Sequence, residues 1–201
     1  MELVALFPLE MVLFPGMPLP LHIFEPRYKE MIGELLADHQ PFGVVRALEN
    51  GIAEVGCAAE IVEVVKTYED GRLDILTHGQ SRFRVMRIDQ ERSFLRGEVQ
   101  YFDDETSGTD RKNLAELLEL HAQAAQLLGS EGELPSADEP DLSFQLAGAM
   151  PFDLDFKQTL LAMRSERERV KALQEYYRAL LPNLKRAVHA RKKAGGNGHV
   201  T

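Results

Sequence analysis

One stretch of the sequence decides the fold: Ser81-Arg82-Phe83-Arg84-Val85-Met86-Arg87-Ile88. Its arginines alternate with apolar side chains. This period of two is typical of a β-strand with one solvent-exposed face and one buried face. The alternation slips at Met86, where two residues instead of one separate the arginines. The slip favours a β-bulge at that position, because a bulge inserts one extra residue into a strand.

Similar runs surround this stretch on both sides. They are rich in β-branched and aromatic residues and cover residues 4–7, 11–14, 42–47, 58–67, 73–76 and 94–102. Asn50-Gly51 and Asp70-Gly71 stand between such runs, and these dipeptides are preferred in two-residue hairpin turns because they tolerate positive φ. The sequence therefore predicts antiparallel connections.

One helix is predicted among these strands. Pro26 suits the first position of a helix. The apolar residues after it recur on one face, which should pack on the sheet. These residues are Tyr28, Met31, Ile32, Leu35 and Leu36.

From about residue 103 the composition shifts to Leu, Ala, Glu and Gln, and the apolar period becomes helical. We place a boundary near residues 106–110. A first helix carries an apolar stripe at Leu114, Leu117, Leu118, His121, Ala125 and Leu128, and residues 129–140 form an acidic loop.

The last helix is predicted to begin at a capping box, Ser165 with Glu168. Pro182 should kink or end this helix, because proline removes an amide donor and clashes with the preceding turn. The predicted organisation is a β subdomain over residues 1–104, a helical subdomain over 105–194 packed on it, and a flexible tail over 195–201.

Charge and cysteine content limit the partners. The formal net charge is −9, yet residues beyond 184 carry five Lys and Arg and no acid, so the rest carries −14. Such a body repels phosphate backbones, and we expect no nucleic-acid partner for the main domain. With Cys57 alone, no intramolecular disulfide forms, which fits a reducing cytoplasm.

The apolar N-terminal stretch, residues 3–24, is tested as a signal peptide or membrane anchor. Four prolines interrupt it, Glu10 and His22 lie inside it, and no Lys or Arg precedes it. Neither interpretation fits, so we expect no membrane association.

A set of short motifs points to one protein family. They are Phe7-Pro8-Leu9, Val12-Leu13-Phe14-Pro15-Gly16, Leu19-Pro20-Leu21-His22-Ile23-Phe24-Glu25-Pro26-Arg27-Tyr28, Phe42-Gly43-Val44-Val45, Val55-Gly56, Ala59-Glu60-Ile61, Asp70-Gly71-Arg72 and Gly79-Gln80-Ser81-Arg82-Phe83-Arg84-Val85. In order and spacing they resemble the N-terminal domain of the Lon proteases over residues 3–102. Residues 142–147 and the rest of the helical half are similar with weaker motifs.

The resemblance implies a PUA-like β-barrel with a packed helical part, an α+β fold. It also implies a role in engaging unfolded or tagged polypeptides. Lon continues into an ATPase and a serine-lysine peptidase, whereas this sequence stops at Thr201. The unfolding motor and the cutting centre are therefore expected to be missing.

The sequence predicts no catalytic, cofactor-binding or metal-ligating residues. It contains no Walker-type loop, no G-x-S-x-G and no H-E-x-x-H, and its six histidines are scattered. Glu25 with Arg27 is expected to cap the first helix and form a salt bridge. His22 should face solvent or a polar partner.

Charged clusters receive structural interpretations as well. The acidic residues Asp103, Asp104, Glu105, Glu131, Glu133, Asp138, Glu139 and Asp141 match no calcium loop and are expected to be solvated. The basic segment 186–193 fits the C-terminal end of a helix, whose dipole favours cations.

The leading hypothesis is a non-catalytic module that binds unfolded or partly folded polypeptides through an exposed apolar patch. The location of the patch stays open, because Met11, Met17 and Phe24 fit the core and the surface equally well. The alternatives are a small-ligand or RNA-binding PUA-like protein, and an adaptor that acts on a protease in trans.

Overall fold

A computed structural model describes residues 2–105, 110–130, 134–137, 139 and 141–196. The chain groups into two compact units. The first holds the residues up to Asp104 together with Pro151–Ala162, and the second holds Glu105–Met150 and the residues from Met163 onward. The predicted α+β class is confirmed, with six strands and five helices among the described residues. The predicted boundaries stay a proposal, and within them residues 151–162 group with the strands.

The first unit is built on one six-stranded sheet. Its strands are β1 (Glu2–Leu9), β2 (Pro18–Ile23), β3 (Phe42–Leu48), β4 (Gly51–Thr67), β5 (Leu73–Asp89) and β6 (Arg96–Phe102). The strand order is β2-β5-β4-β3-β1-β6, and β6 also pairs with β5. Five strands thus form a closed ring of pairings. All five contribute to one buried apolar cluster, made of Val4, Leu6, Val45, Ala58, Phe83 and Val99.

One strand pair departs from the predicted antiparallel arrangement. β1 and β3 are parallel, with Leu6 opposite Gly43. Residues 10–41 connect these strands, and a connection of that length permits parallel pairing. Hairpin signals concern only strands that are adjacent along the chain, so they do not report on this pair. The sheet is therefore mixed.

The strand predicted over residues 11–14 is wrong, because this segment is irregular although it is largely buried. It is held against β5 at Gly79, whose N–H donates to the Met17 carbonyl at 2.9 Å and whose carbonyl accepts from the Gly16 N–H at 2.9 Å. A Cβ on Gly79 would lie 2.2 Å from the Phe14 carbonyl oxygen. The close approach of the two backbones therefore requires glycine.

The strand that follows this segment, β2, escapes the sequence pattern because Pro18 and Pro20 are poor strand formers. Among the described strands it pairs with β5 alone, in an antiparallel register from Pro18 to Ile23. Proline is tolerated in an edge strand because the outer side needs no amide donor.

The two hairpins lie close to their predicted positions. A two-residue turn at residues 49–50 joins β3 and β4, one residue earlier than the predicted Asn50-Gly51, and Gly51 has a φ of 124°. The connection between β4 and β5 is a five-residue loop, 68–72, rather than a two-residue turn. Gly71 in this loop has a φ of 79°.

The helices are α1 (Pro26–Asp38), α2 (Arg111–Leu128), α3 (Leu142–Ala149), α4 (Leu154–Ala162) and α5 (Glu166–Gly196). As predicted, α1 begins at Pro26 and its buried face meets the sheet, where the Tyr28 ring stacks on Phe7 with centroids 4.1 Å apart. The first unit was predicted to have one helix, but α4 belongs to it as well.

Three polar contacts attach α4 to the strands. Asp155 accepts from Arg46 Nη1 at 2.6 Å, and Gln158 Nε2 donates to the Val55 carbonyl at 2.9 Å. The third involves the buried Arg82, whose Nη1 donates to the Leu161 carbonyl at 2.9 Å. A buried guanidinium needs hydrogen-bond acceptors, and the C-terminal end of α4 supplies one of them to Arg82 of β5.

The second unit is held by buried polar pairs as well as by apolar packing. His121 Nδ1 of α2 lies 2.6 Å from the Tyr177 hydroxyl of α5, and both side chains are buried. The fully buried Arg169 guanidinium binds Glu166 at 2.7 Å and donates to Ser143 Oγ at 2.8 Å. These acceptors match the rule that buried charges are paired.

The last helix begins where the capping box predicts, since Ser165 Oγ accepts from the Glu168 N–H at 3.4 Å. It does not end at Pro182 but continues to Gly196. The predicted flexible tail from residue 195 falls mainly on residues 197–201, which lie outside the described part of the chain.

Candidate functional site

The end of β4 extends beyond its neighbour β3. The β3–β4 register starts at Phe42 opposite Ala59, whereas β4 continues to Thr67. We call residues 60–67 the β4 overhang. Its inner edge pairs with the first residues of β5, and its outer edge pairs with no strand of the described residues. Every residue of the overhang except Ile61 is exposed.

Two β-bulges lie in the overhang. Ile61 is opposite Thr77 and Glu63 is opposite Leu76, so Val62 is an extra residue. The same shift recurs between Val64 and Lys66, which makes Val65 the second extra residue.

The bulges turn apolar side chains toward solvent. Val62 is 53% exposed and Val65 is 59% exposed, and Val64 between them is 39% exposed. The bulge predicted at Met86 is confirmed by a register shift between β5 and β6, and this residue is also exposed. Bulges re-aim side chains, and here they expose residues that a regular strand on a core would bury.

A cleft of about 440 Å³ opens beside the overhang. We call it the ring cleft, because its lining comes from four strands of the closed ring, β1, β4, β5 and β6. Residues from the segment 35–41, which precedes β3, complete the lining. The lining residues are Glu2, Leu35, Leu36, His39, Gln40, Pro41, Ala58, Glu60, Ile61, Gln80, Ser81 and Tyr101. The overhang begins in this cleft, since Glu60 and Ile61 belong to both.

The ring cleft is acidic. Glu2 and Glu60 line it, and its lining contains no Lys or Arg. Gln80 Nε2 donates to Glu60 Oε2 at 3.1 Å, and this amide donor carries no charge. Burial raises the pKa of Tyr101 in the same cleft, and the nearby charge of Glu2 raises it further. The electrostatic character of this cleft favours a cation and disfavours phosphate.

A polar cluster lies where β2, β5 and the loop after β4 meet. His22 Nδ1 is 2.5 Å from Asp74 Oδ1, and the Tyr68 hydroxyl donates to Asp74 Oδ2 at 2.8 Å. These two hydrogen bonds hold the pKa of Asp74 below its ordinary value, and the one with His22 has the larger effect. The prediction that His22 faces a polar partner is confirmed. Phe24, which stacks on His22 with centroids 5.9 Å apart, is 58% exposed.

The other residues singled out in the sequence have structural positions. Met11 and Met17 are half-buried. Glu25 forms the expected salt bridge with Arg27 at 2.8 Å, but its side chain does not cap α1. Burial raises the pKa of the Cys57 thiol to about 12.

The predicted acidic loops are only partly described. Asp104 pairs with Arg82, and Asp103 is exposed. Glu131, Glu133 and Asp138 lie outside the described residues. Across the described part of the chain, no group of three or more His, Cys, Asp or Glu side chains is arranged to hold a metal ion. Within the same part, no helix is both long enough and apolar enough to cross a bilayer.

Sequence reasoning missed the overhang valines. A signal was present in Ile61-Val62-Glu63-Val64-Val65-Lys66-Thr67, where apolar residues occupy both faces of the expected strand. A strand that covers a core on one side alternates apolar with polar residues. Valines on both faces therefore indicate a second apolar surface.

Comparison with known proteins gives consistent matches. Residues 4–178 match the family described as the ATP-dependent protease La (LON) substrate-binding domain. Lon protease 2 of Myxococcus xanthus is 33% identical over 134 residues, and Lon protease of Anaeromyxobacter dehalogenans is 31% identical over 134 residues. Each alignment covers 63% of this chain and 16% of the protease. The chain thus spans a small part of the length of these relatives.

Solved structures agree. The crystal structure of a Lon N-terminal domain protein from Xanthomonas campestris has a TM-score of 0.72 and 26% sequence identity, and the match covers 88% of this chain and 99% of that one. The N-terminal domain of the Mycobacterium avium complex Lon protease has the same fold, with a TM-score of 0.67, 18% identity, and coverage of 88% and 98%. The sequence motifs, the fold and the family match agree, and this chain belongs to the Lon substrate-binding domain family.

Proposed function

We propose that this chain is a non-catalytic module that binds unfolded or partly folded polypeptides in the cytoplasm. The observation that carries the proposal is the apolar surface of the β4 overhang, where three valines stand in solvent on a strand whose outer edge pairs with no other strand that the structure describes. Exposed apolar residues that cluster on a folded protein can mark a binding surface, and these three valines lie within four residues of one strand. Unfolded chains expose the apolar side chains that such a surface can cover.

The family supports the same function, because it is the family of the Lon substrate-binding domain. The buried lone thiol of Cys57 fits a reducing compartment.

The ring cleft argues against RNA as the ligand. Its lining has two carboxylates and no Lys or Arg, whereas RNA-binding surfaces neutralise phosphates with these residues. A small ligand would occupy this cleft alone and would not need the exposed valines. Substitution of the valines therefore separates the two functions.

The test compares one polypeptide in two states. A disulfide protein that has been reduced and alkylated stays unfolded, and its oxidised form serves as the folded counterpart. We expect the chain to bind the unfolded form more tightly, and the affinity to persist in high salt, because salt screens charges but leaves apolar contacts intact. Equal, weak binding of both forms would refute the proposal.

The surface is tested with the double variant Val62→Thr and Val65→Thr. Threonine keeps the β-branched shape, so the strand should persist while the apolar contact is lost. Two lost methyl contacts at about 0.8 kcal/mol each predict roughly tenfold weaker binding. The matched control replaces two other exposed strand residues, Leu3→Thr and Ile88→Thr, and should bind as the wild type does.

A pull-down from native cytoplasm then distinguishes an adaptor with a protease partner from a module with many unfolded clients.

A further inference from the structure

We infer that the β4 overhang binds its client as an added β-strand, with a basic residue of the client in the ring cleft. This inference rests on the proposed function and names the conformation and the charge of the bound segment. The argument starts from the backbone. The outer edge of residues 60–67 pairs with no strand among the described residues, although β5 pairs along the inner edge.

A free strand edge selects the conformation of its partner. Away from the bulged positions Val62 and Val65, the edge directs N–H and C=O groups outward, toward a partner in the extended conformation. An extended segment satisfies these groups, and a helix does not, because its own backbone groups are already paired. The exposed valines add apolar contacts to the backbone hydrogen bonds.

The two bulges limit what can pair here. Bulges twist a strand and interrupt its regular edge, which is a known protection against open-ended sheet growth. A folded protein that presents a rigid, flat strand fits such an edge poorly. A short unfolded segment adapts to the twist, so the edge favours flexible clients.

Charge distinguishes a client from a second copy of this chain. The ring cleft at the start of the overhang holds Glu2 and Glu60, and its lining contains His39 but no Lys or Arg. Each overhang carries Glu60, Glu63 and Lys66, a net charge of −1, so two overhangs that paired with each other would bring two acidic segments together. A client that carries Lys or Arg beside an apolar extended run compensates them.

The probe for the test is a synthetic nine-residue peptide that begins with lysine and then alternates valine and threonine. Two N-methylated versions carry methyl groups on alternate amides, in registers offset by one residue. Lysine in the cleft fixes the register, so only one version loses the amides that donate to the overhang. We expect that version to bind at least tenfold more weakly than the other, while both share the stiffness that methylation causes.

The charge is tested with Glu60→Gln. We expect this variant to bind the lysine peptide severalfold more weakly and to bind a peptide with glutamine in place of lysine as the wild type does. An equal loss for both peptides would overturn the assignment of the cation to the ring cleft.

Two further outcomes overturn the inference and leave distinct conclusions. If both methylated peptides bind alike while Val62→Thr with Val65→Thr still weakens binding of unfolded protein, the function stands and the strand mode fails. If the unliganded chain sediments as a dimer that the same double variant dissociates, a second copy occupies the edge. If the valine substitutions do not weaken the binding of unfolded protein, the proposed function itself is refuted.

Discussion

At the scale of single residues, Gly79 shows how one missing Cβ allows two backbone segments to meet. The Phe14 carbonyl oxygen would lie 2.2 Å from a Cβ at this position. We expect Gly79→Ala to lower the free energy of unfolding by about 1–3 kcal/mol, because the segment before β2 must move away from β5. Denaturant titration measures the change.

The matched control is Gly33→Ala in α1, where a Cβ would meet nothing within 4 Å. This substitution should raise the stability by about 0.5–1 kcal/mol, because alanine loses less conformational entropy than glycine in a helix. A similar effect from both substitutions would show that the contact at Gly79 is unimportant.

Asp74 gives a prediction about pH. Its hydrogen bonds from His22 and Tyr68 lower its pKa in the folded state. The stability that this carboxylate contributes is therefore present above its unfolded pKa of about 3.9 and is lost as the pH falls through the lower folded value. We expect the difference in stability between the wild type and Asp74→Asn to shrink as the pH falls below about 4. A difference that does not change with pH would contradict the linkage.

At the scale of secondary-structure elements, the contact between α2 and α5 depends on a neutral histidine. Burial lowers the pKa of His121, whose Nδ1 faces the Tyr177 hydroxyl. The unfolded chain binds a proton near pH 6.5 that the folded state resists, so stability is full above that pH and declines as the pH falls.

We expect the wild type to lose stability between about pH 7.5 and 5.5, and His121→Gln to lose less over the same interval, though it starts from a lower stability. Denaturation midpoints at several pH values measure both profiles. Parallel profiles for the two proteins would show that His121 does not titrate with unfolding.

The sequence predicts the elements whose signal is local. The period of two identifies β5 and its bulge at Met86, and the apolar stripe with Pro26 identifies α1. The segment at residues 11–14 is apolar because it is buried, not because it is extended, and composition does not distinguish these causes. β2 is hidden by its prolines, which only an edge strand tolerates.

The candidate site depends on long-range pairing, which the sequence pattern does not contain. The overhang exists because β3 starts opposite Ala59 while β4 continues to Thr67, a relation between two strands rather than a property of either. The ring cleft likewise combines Glu2 with Glu60 through the closure of the ring. Only the apolar excess on both faces of residues 61–67 was available from the sequence.

At the scale of the whole molecule, the function requires binding without turnover. We expect the purified chain to show no ATPase and no peptidase activity, because the sequence has no Walker-type loop and no recognisable nucleophile motif. Coupled assays for phosphate release and for cleavage of an unfolded protein measure both. Turnover that a single substitution abolishes would contradict this expectation.

The path of the chain through its two units has a consequence for biosynthesis. The strands of the first unit are all made once residue 102 has been added, but α4, which supplies the Leu161 carbonyl to the buried Arg82, follows much later. At about 5–20 residues per second, the ribosome needs roughly 3–12 s to make the intervening chain. During that interval the nascent first unit lacks its final helix, and α2 and α3 emerge before the unit is complete. Maturation of the first unit is thus timed by the translation of the second.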